Sequence, residues 1–295
     1  MAVPAKEMVE ERELEAYSPA KDLWRRLLKS PAAVVGGVIL ILIILATILA
    51  NYVAPYDPNQ INALEAFQAP GRTHLMGTDH FGRDMLSRIL FGGRLSLAVG
   101  IIAVSIAATF GITLGVLSGY MGGWVDSLIS RLIEVMLAFP SLLLTLGIVI
   151  ILGSGLENLM IAVGISSIPR FARIVRGTVI STKENAYVQA SVALGCSSWT
   201  IMVRHILPNI MAPIIVYATL RVATAILVGA SLSYLGMGAQ PPTAEWGLML
   251  SDGREHMRRA WWITTFPGVA IMLTVMSINL LGDGLRDALD PRLRS

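Results

Sequence analysis

Apolar and polar positions fall in long blocks along this chain. Residues 32–50, AAVVGGVILILIILATILA, contain no charge. That length matches the ~20 residues a helix needs to cross a bilayer. It exceeds the h-region of a cleaved signal peptide, and more apolar blocks follow. They lie at about 95–119, 132–153, 157–176, 211–237 and 261–282. The blocks predict an all-α polytopic membrane protein with six transmembrane helices. The predicted order is an N-terminal segment at 1–30, a first transmembrane helix at 31–53, a mixed segment at 54–93, a five-helix membrane domain at 94–283 and a tail at 284–295.

An even number of spans puts both termini on one side. Segments sharing that side hold 14 Lys and Arg, and the opposite segments hold 7. The bias predicts both termini in the cytoplasm and 54–93 outside it. It also predicts that a polar stretch inside the membrane domain, residues 181–209, is cytoplasmic.

That stretch reads STKENAYVQASVALGCSSWTIMVRHILPN. Ser181 and Glu184 match a capping box, which predicts a helix start. Gly195 predicts its stop. Ser197 or Ser198 can cap a second helix. Trp199, Met202, Val203 and Ile206 then share one face, and Pro208 closes the pattern. Small residues at Ala190, Ser191 and Ala193 make the first helix narrow. The pattern fits a helix end that docks into a groove on another protein. It fits equally a loop that folds for its own stability.

The second block carries Ala103, Ala107, Gly111, Gly115, Gly119 and Gly123 in one register of every fourth residue. Small-xxx-small ridges let helix backbones approach closely in lipid. A tight helix pair is predicted, within this chain or against a partner. In the third block, Arg131 and Glu134 can pair at i, i+3. They are read as an interfacial pair that fixes helix depth and stability, and Pro140 is expected to kink the same helix. Outside the membrane, Asp79, Arg83 and Asp84 are read as a self-satisfying charge network that pins an extracytoplasmic helix to the second span.

Composition agrees with the blocks. The chain has 295 residues, 54% hydrophobic and only 15% charged, with a mean hydropathy of +0.65. Soluble domains carry about 25% charged residues. The net charge of +3 includes no basic and aromatic run of the kind that binds nucleic acid. A single cysteine, Cys196, excludes a disulfide within the chain. His74, His80, His205 and His256 show no metal-ligand spacing. No GxxxxGK[ST] phosphate loop is present, so the chain has no nucleotide site of its own. A secondary transporter would show midplane ionisable residues forming an ion path, and Arg221 alone is a poor basis for one. A membrane hydrolase would need a nucleophile tied to a base, and no motif ties them here.

Four motifs carry a family resemblance. Gln189-Ala190-Ser191, Gly195, His205 and Leu207-Pro208 resemble the EAA loop of ABC importer permeases. Gln replaces Glu, Ser replaces the second Ala, and His replaces Ile. Residues 74–97, HLMGTDHFGRDMLSRILFGGRLSL, resemble the signature of peptide-type permeases through Gly77, Thr78, Asp79, Gly82, Arg83 and Asp84. WVDSLISRLIEVMLAFPSLLL at 124–144 and GLRDALDPRLR at 284–294 complete the set. The chain is identified as a member of the dipeptide, oligopeptide and nickel ABC importer permeases, with a C-type subunit implied. The resemblance implies a type I importer transmembrane domain. It implies a second, homologous B-type permease subunit, two ATP-binding subunits and an extracytoplasmic substrate-binding protein as partners, all assembled in the lipid bilayer. ATP and magnesium would be bound by the ATPase subunits. The hairpin would be their coupling element, with contact expected from Tyr187 to Gly195 and with Val188, Ala190 and Leu194 buried there. Peptides are the expected substrate, with nickel, glutathione or another solute as alternatives.

Overall fold

The computed structural model describes residues 19–289. Lys6, Arg12 and the tail motif beyond Leu289 lie outside the described residues. The α-helices among the described residues are α1 (Pro19–Lys29), α2 (Pro31–Ile48), α3 (Ala50–Val53), α4 (Met85–Met121), α5 (Gly123–Leu137), α6 (Ser141–Leu152), α7 (Leu156–Lys183), α8 (Ala186–Ala193), α9 (Ser198–Thr200), α10 (Leu207–Tyr234), α11 (Trp246–Gly253) and α12 (Trp262–Leu289). A π-helical turn, Ile201–Ile206, joins α9 to α10. Five of these helices are long and apolar enough to cross a membrane, and the bent pair α5 and α6 makes a sixth if counted as one span.

The helix α4 sets the frame. Asp84 accepts the Ser87 amide at its start, so the helix begins ten residues before the predicted span. Its 37 residues rise ~55 Å, well beyond the ~30 Å hydrocarbon core. Its first turns therefore belong to a folded cap rather than to a span. The most extensive helix pair is α4 with α7, and α10 packs on both as well as on α12. At the rim, α2 leans on α12 and leaves Val38, Ile41, Leu42 and Leu45 open to lipid or a neighbouring chain.

The small ridge makes the α4–α7 contact. Phe171, Val175 and Val179 are fully buried on α7 and meet Gly111, Gly115 and Gly119 in turn. A Cβ on Gly115 would sit 2.6 Å from the Val175 Cβ, and one on Gly119 would sit 2.9 Å from the Val179 Cβ. The partner of the ridge is thus within this chain. The ridge ends at Gly119, because Gly122 caps the helix and nothing approaches Gly123.

Four expectations need correction. The capping box at Ser181 and Glu184 does not start a helix, since Ser181 lies inside α7. Packing of Val175 and Val179 on α4 carries that helix through to Lys183, and the break falls at extended Asn185. Pro208 does not end a helix either. The preceding turn widens, the Leu207 amide bonds to the Met202 carbonyl, and the helix runs from Ser198 to Tyr234. Such a π-turn absorbs the donor that proline lacks. The third block is a broken helix rather than a kinked one: α5 and α6 meet at 93°. Pro140 is extended (φ −55, ψ 133) and its carbonyl accepts the Leu144 amide, so α6 restarts there. Finally, the segment pinned at the head of the second span is loop and one short 3-10 turn, Ala63–Glu65, rather than a helix.

Glycine-to-alanine exchange separates packing from propensity. Gly115→Ala should lower the stability of the solubilised protein by ~1–3 kcal/mol through overpacking. Gly177 on α7 has open space around it, so Gly177→Ala should leave stability unchanged or raise it by about 0.5–1 kcal/mol. Thermal melting in detergent reads the opposite signs.

Candidate functional sites at the two ends of the bundle

At one end, α8 and α9 form the hairpin. The Gly195 amide bonds to the Val192 carbonyl at 3.0 Å, and the Cys196 amide to the Ser191 carbonyl at 3.1 Å. This is the Schellman arrangement, and Gly195 fills its left-handed position at φ +76. Ser197 then accepts the Thr200 amide at 3.2 Å and caps the next helix. Val188 and Ser191 turn inward, where Val188 packs with Val179, Ile201, Ile206 and Ile210. Val188 is therefore buried by its own chain, contrary to the expected partner contact. Tyr187, Ala190 and Val192 point out, Leu194 is 84% exposed and Trp199 is 69% exposed. Trp199 was expected on the packed face. The π-turn shifts the register, and Ile201 takes its place.

Gln189 has a local job. Its amide donates to the Lys183 carbonyl at 3.0 Å. That carbonyl is one of the orphans at the α7 terminus, and a carboxylate could not donate to it. His205 is half-buried and its carbonyl accepts from the Asn209 side chain, while Leu207 is half-buried and Pro208 is exposed.

A clamp beside the hairpin had no signature in the sequence. Arg176 of α7 grips Asp126 of α5 in bidentate fashion, at 2.6 Å and 2.7 Å. Ser130 donates to the same carboxylate at 3.1 Å, and Ser118 of α4 donates to it as well. Lys183 reaches the Tyr120 carbonyl at 2.9 Å. These bonds tie the first half of the broken helix to the α4–α7 pair. The expected Arg131–Glu134 pair does not form among the described residues, and both side chains are exposed. Arg131 points away from the face that carries Asp126 and Ser130. Glu134 instead adds its charge to the field around Arg176.

At the other end, residues 54–84 and α11 form a cap over the head of α4. Asp79 is 2% exposed. It accepts the amides of Phe81 at 2.8 Å and Arg83 at 3.0 Å, and it pairs with the Arg83 guanidinium at 2.6 Å. Arg88, 1% exposed, lies 3.7 Å from Asp79 and donates to the carbonyls of Pro58, Pro242 and Thr243. Asp84 caps α4 and meets His74 Nδ1 at 2.9 Å. Thr78 accepts the Gln68 amide and donates to the Glu65 carbonyl, and its own carbonyl accepts the Trp262 indole N–H. Gly77 and Gly82 are both left-handed and pressed against Trp262 and Asn62. The six motif residues therefore form one knot. The expected network of Asp79, Arg83 and Asp84 is enlarged by Arg88 and by the 242–243 loop.

Glu245 was missed by sequence reasoning. It is 1% exposed, caps α11 through the Gly247 and Leu248 amides, and accepts from Ser96 of α4 at 3.0 Å. Its position just before an apolar turn was the available sign. Beside Arg83, burial holds the His80 imidazole below its ordinary value and pushes the Asp252 carboxyl above its own. No group of three or more His, Cys, Asp or Glu among the described residues is arranged to hold a metal.

Apolar helices of spanning length with a polar hairpin at one end define an α-helical polytopic membrane protein. The fold is that of a type I ABC importer membrane domain. It is similar to the inward-facing MetNI methionine ABC transporter, with a TM-score of 0.58 at 18% identity, over 70% of this chain and 98% of that one. The chain belongs to the binding-protein-dependent transport system inner membrane component family, which matches residues 111–295. Residues 18–70 match the N-terminal TM domain of oligopeptide transport permease C. A glutathione transport system permease protein GsiD from Pectobacterium atrosepticum is 45% identical over 285 residues, covering 96% of this chain and 95% of that protein. The GsiD of Shigella boydii serotype 4 is 46% identical over 281 residues, covering 95% and 93%. The chain is thus a multi-pass inner-membrane permease of an ABC importer, a transport subunit rather than an enzyme. Such permeases work with a partner permease, ATPases and a substrate-binding protein.

Two outcomes test the cap. Asp79→Ala leaves Arg83 and Arg88 buried without their shared carboxylate, which should cost about 3–5 kcal/mol. Melting temperature and protease sensitivity of the 54–84 segment report it. His80 responds to pH. Below the ordinary histidine value near 6.5, the unfolded chain takes a proton that the folded one resists, so stability falls as pH falls. Asp252 acts in the opposite sense, gaining its proton first in the folded state. His80→Gln should therefore lose less melting temperature than the wild type between about pH 7.5 and 5.5.

Proposed function

We propose that this chain forms half of the pathway of an importer for short peptides, with glutathione, a tripeptide, as its first candidate substrate. The carrying observation is the 45% identity to glutathione permeases along 96% of the chain. The peptide-permease match at 18–70 supports the same substrate class. In this reading both termini and the hairpin are cytoplasmic, as the lysine and arginine bias favours. The B-type subunit completes the pathway. The cap at 54–84 faces the substrate-binding protein.

The hairpin couples the membrane domain to an ATPase subunit. Its apolar tip, with Tyr187, Ala190 and Leu194 outward, would sit in a groove of that subunit. ATP binds the closed ATPase state more tightly, closure moves the hairpin, and α7 and α10 carry the movement into the bundle. Gln189 in place of Glu means that packing rather than an ion pair holds this contact. Arg131, Glu134 and Pro140 mark the broken helix whose tilt would follow that movement.

ATP-dependent uptake by the reconstituted complex, offered glutathione, di- and tetrapeptides and nickel, tests the substrate. Uptake of nickel without any peptide would reject the reading. For coupling, Leu194→Asp should leave folding and membrane insertion intact, because the side chain is 84% exposed. Uptake should fall roughly 30-fold, as for loss of an interface anchor. Gly195→Asp should uncouple ATP hydrolysis from uptake, and full transport by either variant would reject the docking surface.

A further inference from the structure

Between α6, α7 and α10 lies a polar cleft that neither the hairpin nor the cap uses. Two cations line it, Arg170 and Arg221, with hydroxyls from Ser141, Ser167, Tyr217 and Thr224. Arg170 sits at the midpoint of the 28-residue α7, and Arg221 lies in the second half of the 37-residue helix that runs from Ser198 to Tyr234. Neither forms an ion pair among the described residues, and no carboxylate lines the cleft. Arg221 lies over the Tyr217 ring at 4.8 Å and interacts with its hydroxyl. The wall is held in shape by Thr145 of α6, which donates to Ser166 of α7 at 2.8 Å. The break at Pro140 is what brings the start of α6 to this place.

A guanidinium within a spanning helix is costly unless an anion or water balances it. Two of them lining one cleft with hydroxyls and no carboxylate suit an anionic ligand. We propose that this cleft is a carboxylate-binding station on the translocation pathway, contacting the terminal carboxylate of a passing peptide. The proposal rests on the peptide reading above and adds residues to it. Arginine suits the task because its planar fork matches a carboxylate in two parallel bonds. The space in the cleft is about 40 Å³. Counted as space open to water centres, of which one water needs roughly 10–15 Å³, that is room for a carboxylate-sized group rather than a whole tripeptide. The cleft is therefore a contact point on the pathway wall.

The test compares each peptide with its carboxamide in the complete reconstituted importer, at saturating binding protein. Ala-Ala against Ala-Ala-amide and glutathione against its diamide are the probes. Wild type should transport the free acids at least ~10-fold better, the scale of a lost charged hydrogen bond. In Arg170→Gln or Arg221→Gln that preference should fall towards one, through loss of the free acid alone, with Arg221→Lys restoring part of it. A preference set by the binding protein would survive both Gln variants unchanged, and that result overturns the proposal. So does a complex that fails to assemble with Gln and Lys alike, since the arginines would then pair with a neighbouring subunit. Assembly with Lys at the wild-type preference supports it even where Gln does not assemble. Wild-type transport of peptides without any acid preference rejects the cleft alone. Absence of peptide transport rejects the substrate reading and the cleft together.

Discussion

The close approach of α4 and α7 is the contact on which everything else hangs. Lipid chains are as apolar as leucine, so helices in a membrane gain little from hiding side chains from water. They associate through van der Waals contact, which falls off steeply with separation. Glycines at 111, 115 and 119 let Phe171, Val175 and Val179 seat against bare backbone. The cap folds over the first turns of α4, and the hairpin leaves the last turn of α7. Two helices locked along their length thus join two working ends separated by the ~55 Å length of α4.

The broken helix gains its importance from that rigid pair. The α5 half is fastened by the Asp126–Arg176 grip, which draws on α4, α5 and α7 at once. The α6 half turns 93° away and supplies one wall of the polar cleft. On the pathway proposed above, a bend between a fastened half and a cleft-lining half is where a small movement of α7 would reach a passing solute. The hairpin enters the same chain of contacts, because Val188 packs against Val179 on α7 and against Ile206 and Ile210, which lead into α10.

The apolar blocks made the spans legible, since a spanning helix needs one continuous run that no soluble element imitates. Gly195 and Ser197 were legible because their requirements are local: a left-handed position and an oxygen facing an amide. Local rules failed where packing decided. Ser181 and Glu184 match a capping box, yet the fit of Val179 on Gly119 carries α7 past Ser181 to Lys183. Pro208 should stop a helix, yet one widened turn accommodates it. Asp126 and Arg176 lie 50 positions apart, and no spacing rule joins them. The knot at Asp79 and Arg83 was half visible, because the Pro58, Pro242 and Thr243 carbonyls that hold Arg88 arrive from elsewhere in the fold.

Gln189 shows how one residue ties these levels together. Against the usual Glu it looks like a lost charge at a docking surface. In the fold its amide closes the end of α7 by donating to Lys183, a bond that no carboxylate makes. The hairpin root is therefore fixed by a neutral bond, and Lys183 is free to reach back to Tyr120 on α4. Fewer charges stand beside Tyr187 and Leu194 in consequence. In the coupling role proposed above, an apolar tip on a firmly closed root would transmit displacement through shape, and its grip on a partner groove would depend less on salt than an ion pair.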